Sequence, residues 1–214
     1  MVEPCASAVG VAKPKRPRYL EPSAFDAFEG ASDPAMRLQF AHDSASALLA
    51  RVRSSADPDT VDRVLAYTRE NGVEELAEMW ADAPAHSLPG ALWRLWVIHA
   101  SIVADPDTTA HAYRRGASEL ETIDPVVAGA RQPTGPGDIR ALADDILRGA
   151  FTGDLSDALD RASAYCRIEA HGVTTLVGAT EIGNSATLER AVVLADFAED
   201  LHASAMLARA GRLT

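Results

Sequence analysis

Glu199-Asp200-Leu201-His202 sets a carboxylate and an imidazole three residues apart, and a helix brings such a pair to one face within reach of one metal ion. Carboxylate-bridged di-metal bundles need a second Glu-x-x-His. The other histidines, His42, His86, His99, His111 and His171, supply none. The pair therefore reads as the wet side of a helix, and no metal or cofactor is called for.

Trp93, Trp96 and His99 recur at three-residue steps and fall on neighbouring faces of one helix. Aromatic residues in that pattern are core-forming, with the imidazole held by a hydrogen bond. The competing reading is a small-ligand or catalytic pocket beside this helix. Cys166 lies in an apolar stretch, where a thiol is a small core side chain; a nucleophilic thiolate needs electropositive, partly exposed surroundings. Cys5 and Cys166 offer neither a disulfide framework nor paired metal ligands.

Lys13 and Lys15 are the only lysines of the chain. Neither stands beside a Gly-rich turn or in a strand pattern, which excludes a P-loop, a protein kinase and a pyridoxal Schiff base. Gly135-Pro136-Gly137 lacks the third glycine of a dinucleotide loop and follows no strand. The chain also lacks Gly-x-Ser-x-Gly, His-Glu-x-x-His and an EF-hand loop.

The net charge is −11. Residues 1–34 carry four basic groups (Lys13, Lys15, Arg16, Arg18) and five acidic ones, a net −1, which leaves −10 on the rest. So acidic a body repels phosphate backbones and anionic membranes. A helix-turn-helix over residues 57–82 is disfavoured on the same ground. Its second helix carries Glu74, Glu75, Glu78 and Asp82 and no arginine, where base edges and phosphates require donors and positive charge. Nucleic-acid contact is expected only weakly, through Lys13, Lys15, Arg16 and Arg18.

These residues need elements to hold them, and the composition specifies helices. Alanine is abundant, aromatics are 6%, and no run alternates with the period of a strand. Residues 1–34 are rich in Pro, Ala and Ser without helical period and read as a flexible arm; residues 35–214 read as one helical domain of roughly eight helices.

Asp33-Pro34 opens a helix through Met36, Phe40, Leu48, Leu49 and Val52. Asp57-Pro58-Asp59-Thr60 opens a second, along Val61, Val64 and Leu65 to Asn71-Gly72, and a short helix follows from Val73 to Ala81. Ser87 caps the helix of Leu88, Leu92, Leu95 and Ile102, apolar nearly all round and expected at the centre of the fold. Asp105-Pro106-Asp107-Thr108 reuses the earlier cap chemistry without making a repeat.

The loop over residues 132–137 joins two helices, the later one striped by Ile139, Leu142, Ala143, Ile146 and Leu147. Asp154 leads into a helix with Leu155, Ala158, Leu159, Ala162 and Cys166 inward, which His171-Gly172 is expected to end. Residues 173–183 read as a short strand or an extended loop. Asn184 or Ser185 caps a last helix through Leu188, Val192, Phe197, Leu201 and Ala205, stopped by Gly211.

The segments Ser87–Leu95 and Leu147–Asp154 resemble a family of all-helical actinobacterial proteins. The resemblance implies a helical fold and a bacterial cytoplasmic setting, and carries no activity. The reading that follows is a non-enzymatic interaction or regulatory module, cytoplasmic, outside the membrane and working through a protein partner. The alternative is a ligand binder or enzyme with its pocket at Trp93, Trp96 and His99.

Overall fold

The computed structural model describes residues 33–54, 79–132, 134–179 and 185–214. The fold is all-α. Among the described residues, seven helices run in chain order: α1 (Pro34–Ser54), α2 (Leu88–Ala104), α3 (Pro106–Glu119), α4 (Asp124–Ala128), α5 (Pro136–Thr152), α6 (Leu155–Ala179) and α7 (Ser185–Arg209). Residues 79–81 are helical and precede α2. No strand occurs among the described residues, and no helix among them is long and apolar enough to cross a membrane. The expected arm up to residue 32, the helix opened by Asp57 and the Val73–Glu78 stretch lie outside the described residues.

The caps act where their side chains require. Ser87 is extended, and its Oγ accepts from the Gly90 N–H at 3.3 Å. Asp105 Oδ1 accepts from the Thr108 N–H at 3.2 Å, with Pro106 in the first turn of α3, where no N–H is needed. At α5 the capping contact runs the other way: Asp138 Oδ2 accepts from the Gly135 N–H at 2.9 Å. Gly211 takes φ +64°, and the Arg212 N–H reaches back to the Leu207 carbonyl at 2.9 Å. A left-handed residue just past a helix end closes it in this way, and glycine alone takes that backbone without strain.

The centre of the fold is α6, which packs on α3, α4, α5 and α7 and touches α2. This corrects the expectation that α2 is central. Leu88, Leu92, Leu95, Ile98, His99 and Ile102 of α2 are buried, but Trp93, Trp96 and Val97 are half-buried and Val103 is exposed. Apolar residues all round a helix do not require a partner all round, because a folded surface keeps much apolar area. The position of α6 follows from its small inner residues, Ala158, Ala162, Ser163 and Ala164, which let neighbours approach closely.

Gly172 does not end α6, which runs on to Ala179 and takes up residues 173–179 of the expected strand or loop; residues 180–183 lie outside the described residues. A Cβ on Gly172 would stand 1.9 Å from the Ala112 carbonyl oxygen of α3, and one on Gly116 would stand 1.9 Å from the Ile168 oxygen of α6. The two glycines are crossing points where backbones touch.

In α1 the buried stripe is Ala41, Ala45, Leu49 and Val52, while Met36 and Phe40 face outward. Trp80 Nε1 donates to Ser44 Oγ at 3.1 Å and ties residues 79–81 to this helix. The inward stripes expected for α5 and the first half of α6 are buried as read.

Candidate functional site: a buried polar cluster between α3, α6 and α7

Glu169 continues the inner stripe of α6, four residues after Tyr165 and three after Cys166. Its side chain is 1% exposed. The Tyr165 hydroxyl donates to Oε2, and Arg190 Nη2, from the second turn of α7, donates to Oε1 in an ion pair. The same Arg190 nitrogen reaches Thr109 Oγ1 of α3 at 3.3 Å. Two helices thus meet on one buried carboxylate, and Arg190 carries the link on to α3.

Burial dominates the electrostatics. It pushes the Glu169 carboxyl above its ordinary range, against the pull of the Arg190 guanidinium and the Tyr165 hydrogen bond. Burial, then the Glu169 charge, raises the Tyr165 phenol and the Cys166 thiol well above their usual values. Cys166 is therefore a thiol in the core, as its apolar surroundings imply, and a poor nucleophile.

Tyr113 of α3 stacks on Tyr165 with ring centroids 5.9 Å apart and planes 15° from parallel. Its hydroxyl is buried with no hydrogen-bond partner, and burial followed by the nearby Asp124 charge pushes it up to about 12. Such a cluster joins helices. With Glu169 covered on every side, it offers no base or acid to a substrate in this conformation.

A second polar chain extends the first. Arg167 contacts Asp124 Oδ1 at 2.9 Å and Ser163 Oγ at 2.8 Å, and Ser163 Oγ donates to the Ala198 carbonyl at 2.6 Å, linking α4, α6 and α7.

The residues singled out from sequence do not converge. Trp93 meets Phe197 of α7 edge-on, centroids 5.7 Å apart, and the Arg94 guanidinium lies over both rings at 5.6 and 5.3 Å. Arg94 Nη2 is 2.7 Å from Asp200 Oδ2, while His86 Nε2 approaches Oδ1 of the same carboxylate at 3.2 Å. His99 points instead to α5, its Nε2 2.7 Å from Asp144 Oδ1. It is the hydrogen-bonded core histidine that its position suggests. Trp96 is half-buried between these two contacts along the helix.

An open groove of about 550 Å³ lies elsewhere, lined in part by Leu49, Arg53, Leu88, Asp154 and Leu213, and by none of the three. Within the expected Glu-x-x-His pair, His202 Nδ1 lies 3.2 Å from Asp160, a carboxylate also held by Arg209. Among the described residues no three metal-ligating side chains gather at one point. Lys13, Lys15, Arg16 and Arg18 lie outside the described residues.

Sequence reasoning does not single out the buried cluster, yet the cluster leaves a signal. The apolar stripe of α6 (Leu155, Leu159, Ala162, Cys166) reaches Glu169 at its next step, and an acidic residue on a core stripe demands a partner. Ending the helix at Gly172 hides that step. No protein-family model, curated protein or solved structure is detectably similar to this chain.

Proposed function

We propose that the chain is a non-enzymatic interaction or regulatory module that binds a protein partner through the first half of α7. The observation that carries this reading is an apolar outer face on a helix that is thinly anchored beneath. Leu188, Val192 and Val193 are 44%, 60% and 48% exposed. Below them only Ala191 and Leu194 are buried, with Ala112, Val173 and Leu176 forming a small cluster under Ala191. Exposed Val and Leu gathered on two helical turns are what a partner helix or groove buries.

Glu169, His99 and His202 each join two helices through Arg190, Asp144 and Asp160, which also favours contact over catalysis. Trp93 is engaged by Phe197 and Arg94, and His99 by Asp144, so a pocket beside α2 gains no support from their surroundings.

A photoreactive amino acid at position 192, with a second version at the exposed Ser101 of α2 as control, tests the reading in cells making the full chain. One discrete protein adduct from position 192, absent from position 101 and abolished by Leu188→Glu, is expected. Equal diffuse labelling at both positions would refute it.

A further inference from the structure

We propose that Glu169 and Arg190 form a proton-operated latch that sets how firmly the first half of α7 is docked on α3 and α6. Three observations place the device there. Glu169 is fully enclosed, and the cation against it arrives from α7 itself. Arg190 is one-third exposed, so it is the lid as well as the counter-ion. Apart from Ala191 and Leu194, the residues of α7 from Ser185 to Asp196 are exposed or half-buried, so the contact between Arg190 and Glu169 falls where the helix buries little apolar surface and the charge state of Glu169 weighs on its docking.

The groups facing Glu169 are few. From α6 come Tyr165 and Cys166, both kept neutral by burial, with Arg167 turned toward Asp124. From α3 come the Thr109 hydroxyl, bound to Arg190, and Tyr113, stacked on Tyr165. From α7 comes Arg190, whose field also reaches Asp105 at the start of α3.

Enclosing a charged carboxylate costs desolvation that one partly exposed guanidinium only partly offsets. The docked state therefore holds a proton on Glu169 more tightly than the undocked state does. By linkage, docking is firmest below the ordinary carboxylate range and weakens as pH rises through the raised value of Glu169. Acidification closes the latch; deprotonation loosens it.

Amide hydrogen exchange on the full chain, corrected for the intrinsic pH dependence of exchange, reads the device directly. Protection of residues 185–194, relative to residues 197–205 of the same helix, is expected to fall with rising pH by up to about tenfold per unit across the window and then level off. Glu169→Gln, close in shape and unable to ionise, should abolish that dependence. Arg190→Gln should extend it to higher pH and lower protection at pH 7. The Glu169 carboxyl 13C shift, followed on the wild-type chain, should titrate above the ordinary glutamate range. A flat protection ratio in the wild type, the same slope in Glu169→Gln, or a carboxyl that titrates at its ordinary value would each overturn the latch.

Discussion

Tyr113 and Tyr165 are stacked in the same core, yet their hydroxyls stand in opposite situations. Tyr165 donates to Glu169, while the Tyr113 hydroxyl is buried without a partner. Tyr113→Phe should therefore leave stability unchanged or raise it by up to about 1 kcal/mol, since it removes a desolvated group and no bond. Tyr165→Phe deletes a hydrogen bond to a carboxylate and should cost about 1.5–3 kcal/mol. Urea unfolding of the two variants checks the contrast, and equal losses would show that the two hydroxyls are bonded alike. At this scale His99 and Cys166 are legible in the sequence, because their types and apolar neighbours permit few alternatives. The tie between Glu169 and Arg190 is not, because its partners lie 21 residues apart on two helices.

Elements depend on what touches them, and the α3–α6 crossing makes this concrete. Ala at position 172 or 116 must displace a carbonyl 1.9 Å away and should cost several kcal/mol, about 3 or more, in thermal unfolding. Gly178, on the same helix with nothing within 4 Å of its would-be Cβ, should gain up to about 1 kcal/mol on conversion to Ala. If Gly172→Ala proved as mild as Gly178→Ala, the backbone contact would be absent.

The identity of the helices is readable from caps and period, as Ser87, Asp105 and the α5 stripe illustrate. The end of α6 is not. His-Gly resembles a helix stop until a second backbone fills the space that the missing side chain leaves. Packing rank is hidden for a related reason. The bulky apolar residues of α2 draw attention from the small ones of α6, so Trp96→Ala, expected from sequence to cost a fully buried ring, should cost less than Trp80→Ala, whose ring is buried.

For the molecule as a whole, charge and apolar surface set the partners it can meet. The acidic body disfavours phosphate backbones, so any contact with nucleic acid should depend on Lys13, Lys15, Arg16 and Arg18 and vanish as salt is added. Salt-resistant binding, or binding by a chain lacking residues 1–30, would contradict that assignment. The apolar outer face of α7 is the opposite kind of feature, insensitive to salt and unused by the core. If Leu188 and Val192 serve a partner and not the fold, replacing them should cost the isolated chain little. Thermal unfolding of the Leu188→Glu, Val192→Glu double variant at pH 7 tests this most directly. It should leave stability within about 0.5 kcal/mol of the parent chain, as substitutions on a free surface do. A loss of about 2 kcal/mol or more would mean that these side chains pack against the chain itself, and that the interaction face lies elsewhere or does not exist.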